Sequence, residues 1–345
     1  MQTKIGSRNN AVDLFRLLCA LLVVAIHTMT EYPPGFTPGY YFTHVLTRIA
    51  VPYFFCITGY YYMGALLNGK KVYRKYMGKL LTVYCIWSFI YLIRALLQML
   101  LKGKPDWGEF FGRTVFKFFI DGGNGHLWFF PAIIIAISVV TLCYRLGVLK
   151  YLGWACVLFY LLGSLGCSYY EIAVKIPVFS EFVQSRYAEW FRRTLSTALP
   201  SFLLGYWIFK MQGKLQKIST KRLWLLLGGV GVLYLAEGAV VIVLQLQYNL
   251  VLSFFLLPLL AVVVLLLLRY PLPSLTEAAY TSRVVANFTY YAHPLYHMFV
   301  RKVLFARELL PVSDPLAFVL TCLLTLPCGW VVRKLDKKWL NKLVL

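Results

Sequence analysis

Ten apolar segments, each close to the length that crosses a bilayer, limit what this chain can fold into more than any other feature. They run over residues 11–30, 44–67, 80–101, 126–142, 152–167, 194–209, 223–246, 250–268, 284–300 and 314–332. An α-helix rises 1.5 Å per residue, so about 20 residues cross a hydrocarbon core of roughly 30 Å. Backbone polar groups in lipid must find partners within the protein, so such segments fold as helices. The predicted fold is all-α: a polytopic integral membrane helical bundle of about ten transmembrane helices. With 60% apolar residues and only 14% charged ones, the composition is that of a membrane protein rather than a soluble domain. The first segment does not read as a cleavable signal peptide, because Arg16 interrupts it and no small-residue cleavage site follows.

Ten crossings place both termini on one side of the membrane. The connecting segments on that side hold 21 Lys and Arg, against 11 on the other, so the positive-inside rule assigns both termini to the cytoplasm. The expected location is the plasma (cytoplasmic) membrane, crossed many times. The net charge of +22 then belongs to a cytoplasmic rim that meets anionic lipid or an anionic cytosolic ligand, and calls for no nucleic acid. Lys70, Lys71, Arg74, Lys75 and Lys79 form one such cluster. No repeat or Gly/Ser linker divides the chain, so residues 1–345 are expected to form one membrane domain without a racemase or other soluble catalytic domain.

Arg16 and His27 lie inside the first segment, where an ionisable side chain is costly. An arginine at the centre of a membrane helix costs about 2.5–3.5 kcal/mol on translocon scales, so such a residue faces a partner, a bundle interior or a watery cavity. Eleven residues separate the two, roughly 16 Å of rise over about three turns, which puts them on nearly the same face. Asp13 and Glu31 lie three and four residues from Arg16 and His27, respectively, within reach along the helix surface. Arg48 begins RIAVPYFFCITGYYYMG (48–64), where Thr58, Gly59 and Gly64 offer small-residue positions for close helix packing. His126 and Trp128 lie in GHLWFFPAIII (125–135), after the Gly-rich run 121–125. His293 and His297 share a helical face; two imidazoles at that spacing can share a metal, but no HExxH glutamate accompanies them, and a polar cavity lining is the reading preferred here. Glu237 is a lone intramembrane carboxylate whose expected partner is an arginine of another span.

Taken in order, these motifs resemble the acyltransferase-3 family of integral-membrane acyltransferases. DLFRLLCALLVVAIHT is similar to the family's Arg-x10-His first helix, and RIAVPYFFCITGYYY to an R-x-x-VP-x-FF-x-x-SG-Y block with Thr58 in the usual Ser place. YRKYMGKLLTVYCIW is similar to its basic stretch after the second helix, with Lys79 where Arg is common; GHLWFFPAI and TYYAHPLYHMF complete the set. Within the family the likeness extends to the membrane half of vancomycin-resistance serine racemases.

The resemblance implies transfer of an acyl group, commonly acetyl, from cytosolic acyl-CoA to a hydroxyl of a cell-envelope glycan or lipid-linked sugar. It implies no permanently bound cofactor and no metal; acetyl-CoA or another acyl-CoA is a substrate. An alcohol is a poor nucleophile near pH 7, so a base must take its proton, and His27 is the candidate. Arg16 would steer the donor's phosphates or pantetheine arm, with Arg74, Lys75 and Lys79 at the nucleotide end. His126, Trp128 or Arg48 would supply donors to the developing oxyanion, with His293 lining the same cavity. The alternative is a membrane module that transports or binds a small serine-like solute.

Overall fold

The computed structural model describes residues 8–344 except 31, 33, 34, 102, 104, 105, 121, 123, 124, 186 and 338, and, within the helix over 107–120, leaves aside the side chains of 109, 113, 115, 117, 119 and 120. Among the described residues the protein is helical and has no strand. Among the described residues ten helices correspond to the expected segments, α1 (Asn10–Thr28), α2 (Ala50–Leu67), α3 (Tyr73–Leu101), α4 (Phe129–Arg145), α5 (Leu149–Leu165), α6 (Leu199–Lys210), α7 (Thr220–Val243), α8 (Leu256–Arg269), α9 (Thr276–Phe299) and α10 (Asp314–Leu335), and a further helix, Trp107–Ile120, lies between α3 and α4 in the chain.

Each expected apolar segment has a helical counterpart, but the lengths differ. Among the described residues, α1, α3, α7, α10 and the stretch Pro38–Leu67 containing α2 are long and apolar enough to cross a membrane. A sixth is available if α8 and the helical stretch that follows it, which meet at a bend of 92°, count as one broken span. The helices α4 and α5 are apolar but have 17 residues each, at the short limit of a crossing. Helix α6 is preceded by a π-helical run, Phe191–Ala198, so the first part of the expected segment 194–209 is π-helical.

Local chemistry sets these boundaries. Asn9 caps α1 by accepting a hydrogen bond from the Val12 amide at 3.2 Å, and Ser219 caps α7 through Arg222 N–H. Proline interrupts α9 at Pro294 and α10 at Pro327.

Small residues set the closest approach. A Cβ placed on Gly59 of α2 would lie 2.0 Å from the Phe202 carbonyl oxygen, and one on Gly205 of α6 would lie 2.0 Å from the Cys56 carbonyl oxygen. The two helices therefore touch backbone to backbone, as small residues permit in a membrane. The core around that contact contains Tyr53, Phe55, Tyr62, Met63 and Phe202, all fully buried. Helix α1 packs against α9, and α9 against α10, which brings the first and last thirds of the chain together.

Among the described residues Glu237 of α7 meets no arginine, contrary to expectation. It accepts hydrogen bonds from Tyr169 Oη (2.7 Å), Phe254 N–H (2.7 Å) and Phe255 N–H (3.1 Å). The last two are amides at the start of α8, where unpaired N–H groups and the positive end of the helix dipole favour a carboxylate.

Candidate active site

Two groups of functional side chains lie at opposite ends of α1. At the far end, three histidines from different parts of the chain converge. The ring of His27, on the last turn of α1, lies 5.2 Å from that of His293 on α9, and His293 lies 5.5 Å from His126, just before α4. His126 and His293 are buried, whereas the side chain of His27 keeps accessible surface. The accessible imidazole thus stands in front of two sequestered ones.

The backbone fixes the buried pair. Pro294 has no N–H, so the Tyr290 carbonyl four residues earlier loses its helical donor. His293 Nδ1 takes that place, donating to Tyr290 O at 2.9 Å and Thr289 O at 3.1 Å. With Nδ1 committed as donor, Nε2 of the neutral ring carries the lone pair. That Nε2 is buried and has no hydrogen-bond partner among the described residues. His126 Nε2 donates to Tyr291 O at 3.2 Å, an oxygen that also accepts from Tyr91 Oη at 2.7 Å. Gly122 lets the loop before His126 fold back: its φ is +82°, and a Cβ there would lie 2.2 Å from the Leu127 carbonyl carbon. Asp121, Gly123 and Asn124 of that run lie outside the described residues, as does Glu31.

Positive charge surrounds the accessible histidine. Arg48 and Arg193 both lie within electrostatic range of His27. The Nε of Arg48 is buried without a hydrogen-bond partner among the described residues. Arg193 stacks over Trp128, 5.5 Å from the ring centroid, and pairs with Glu189 at 2.6 Å. Arg48 and Trp128 therefore belong to the histidine end.

At the opposite end lies a cavity of about 570 Å³ into which Arg8, Arg16, Lys79 and Arg283 project. Behind them sits buried Asp13, paired with Arg8 at 2.7 Å, Arg283 at 3.0 Å and Arg16 at 3.8 Å. Asp13 thus orients arginines and lies away from His27. Three arginines around one carboxylate, with Lys79 on the same wall, make this cavity suited to an anion. Its walls include Tyr290 and Tyr291, whose backbone and hydroxyl groups also hold His126, so one aromatic layer separates the basic cavity from the histidines. Arg74 and Lys75 are exposed at the start of α3 and do not line the cavity.

The sequence reading anticipated His27, His126 and His293 as cavity residues but did not anticipate Arg8 and Arg283, which it counted with the basic rim. The carboxylate joining Arg8, Arg16 and Arg283 is visible only in the fold. Among the described residues no group of three His, Cys, Asp or Glu side chains is arranged to hold a metal ion.

Comparison with known proteins covers nearly the whole chain. A family model described as an acyltransferase domain matches residues 9–334. An amino-acid racemase of Enterococcus faecalis is 33% identical over 217 residues, covering 60% of this chain and 30% of that protein. A serine/alanine racemase of Enterococcus gallinarum is 28% identical over 180 residues, covering 50% of this chain and 25% of its own length. The matched stretches therefore span less than a third of these relatives. No solved structure matches the chain.

Proposed function

The chain belongs to the acyltransferase-3 family of membrane proteins, and from that membership and the two-ended site on α1 we propose that it is a membrane O-acyltransferase. The donor is a cytosolic acyl-CoA, commonly acetyl-CoA, and the acceptor a hydroxyl of a cell-envelope glycan or lipid-linked sugar. In this reading the chain crosses the cytoplasmic membrane ten times with both termini inside, so that the basic cavity faces the cytosol. The observation that carries it is the placement of solvent-accessible His27 against buried His293, with Arg16 roughly 16 Å away along the same helix in a cavity suited to phosphates.

The chemistry follows from these positions. The acceptor oxygen attacks the thioester carbonyl carbon while His27 takes its proton; the tetrahedral intermediate collapses by breaking the carbon–sulfur bond, and His27 returns the proton to the departing thiolate. Negative charge grows on the carbonyl oxygen during attack, and Arg48 and Trp128 N–H are the donors at this end of the bundle suited to oppose it. His293 acts through His27: its unpartnered Nε2 offers an acceptor to the neighbouring imidazole, 5.2 Å away between ring centroids, and a hydrogen bond formed there as the rings close together leaves the other nitrogen of His27 free as the base. Arg16, Arg283 and Lys79 hold the phosphates, whereas Arg74 and Lys75 meet the approaching nucleotide at the rim.

A second reading, passage of a serine-like solute, is favoured by one observation: the matched relatives are named as racemases of amino acids, including serine and alanine. Purified protein in liposomes separates the two. Acyl transfer predicts thiol release from acetyl-CoA coupled to acetylation of an added envelope glycan. Serine accumulation inside the vesicles with no thioester consumed would replace acyl transfer with transport.

A further inference from the structure

A second cavity, of about 410 Å³, lies beside the histidine end and has no part in the chemistry described so far. Its volume falls within the range of small-molecule sites, about 300–1,000 Å³. The C-terminal end of α5, the short helix Pro177–Gln184, the start of the π-helical run and the connection before α8 enclose it.

Its lining is distinctive. Tyr170 and Tyr248 present their rings 5.3 Å apart and inclined at 40°, with Tyr248 largely exposed. The backbone holds them: Tyr248 N–H donates to Cys167 O at 3.0 Å, and Glu171 N–H to Leu246 O at 3.0 Å. Gln184 and Ser185 add neutral polar groups, and Arg192 lines the opposite wall. The Nε of Arg192 is buried and has no hydrogen-bond partner among the described residues. Glu189 also lines the cavity, but it pairs with both Arg192 and Arg193.

These groups favour a neutral, polyhydroxylated ligand. Splayed aromatic faces offer a platform for the C–H face of a sugar ring, because the face of an aromatic ring is electron-rich. Gln184, Ser185 and the arginine edge offer donors and acceptors for hydroxyls. An amino acid would need a free carboxylate to meet its ammonium group, and Glu189 is already engaged with two guanidinium groups.

The cavity also adjoins the catalytic end. Arg192 lines it, and the next residue, Arg193, stacks over Trp128 beside the histidines. Both residues lie on π-helical turns, a rare conformation concentrated at functional sites. We infer that this cavity is the acceptor subsite, holding a sugar ring on Tyr170 and Tyr248 while a neighbouring hydroxyl reaches His27. The inference rests on the acyltransferase reading and assigns its carbohydrate acceptor a place in the fold, at Tyr170 and Tyr248.

Binding measurements on the full chain, purified in detergent, test it with N-acetylglucosamine, serine and CoA as separate probes. The wild type should bind the sugar saturably, and Tyr248→Ala and Gln184→Ala should each weaken that binding about tenfold while CoA affinity stays at the wild-type value. Preserved CoA binding shows that the variants are folded. Wild-type protein that binds CoA but not the sugar, or variants that bind sugar as the wild type does, would overturn the subsite. Saturable serine binding that the same variants abolish would also overturn it, assigning the cavity to amino acids. Sugar binding that responds to the variants, in a protein that neither binds CoA nor releases its thiol, would uphold the carbohydrate site and defeat the acyltransferase reading.

Discussion

The imidazole of His27 lies 5.2 Å from that of His293, the first with accessible surface and the second buried with its Nε2 unpartnered among the described residues. Helices α1 and α9, distant in sequence, meet to make this pair. In the proposed mechanism the two histidines have separate tasks: His27 meets the substrate, and His293 orients His27.

Replacing His293 should therefore damage turnover more than binding. His293→Ala is expected to lower kcat about 10²-fold with little change in KM for acetyl-CoA, because His27 remains but loses its oriented tautomer. His293→Gln, whose side-chain carbonyl can accept in place of Nε2, should recover part of the rate. Equal loss in both variants, with the pH dependence of the remaining activity unchanged, would leave His293 as a packing residue only.

The basic cavity makes a different prediction. Arg283 pairs with Asp13 at 3.0 Å and projects into the same space as Arg16. Arg283→Gln should raise KM for acetyl-CoA about tenfold at nearly constant kcat, the pattern of lost ground-state binding. Dephospho-CoA derivatives should show a smaller difference between the two proteins. Steady-state kinetics over a series of salt concentrations checks this, since screening weakens contacts with exposed phosphates.

The sequence revealed much of this architecture, for identifiable reasons. Apolar length marked ten of the helical segments, though not the helix Trp107–Ile120, and only five or six of the ten are long and apolar enough to cross a membrane among the described residues; the histidines stood out because a polar side chain in lipid is expensive. The dipeptide His293-Pro294 held a further signal, since a proline frees a carbonyl four residues back and a histidine beside it can satisfy that group. Other features depended on the three-dimensional fold. Arg283 looked like rim charge until α9 brought it to Asp13, and Glu237 found backbone amides because the connection after α7 folds back to place Phe254 and Phe255 beside it. A linear sequence shows what a group costs to bury but not which distant element will offset that cost.

Glu237 is expected to be a structural residue. Glu237→Ala leaves the Phe254 and Phe255 amides and the Tyr169 hydroxyl without their acceptor, at about 1–3 kcal/mol per buried unsatisfied group. Glu237→Gln keeps one acceptor oxygen and should lose less. Thermal unfolding in detergent measures the order, with wild type most stable, Gln intermediate and Ala least.

The α2–α6 contact offers a packing test. Gly59→Ala drives a methyl group into the Phe202 carbonyl and is expected to cost about 1–3 kcal/mol or more as the helices separate. Gly229→Ala on α7, where no heavy atom lies within 4 Å of the new methyl among the described residues, should be neutral or slightly stabilising because alanine favours the helix. Melting temperature and monodispersity in one detergent compare the two.

His27 is expected to carry the proton in acyl transfer. The most direct test is thiol release from acetyl-CoA by purified wild type and His27→Ala in the presence of a carbohydrate acceptor, with CoA binding measured on the same samples. The predicted result is intact CoA binding with transfer reduced about 10²–10⁴-fold in the variant. Transfer at the wild-type rate by a folded, CoA-binding His27→Ala protein would contradict the account.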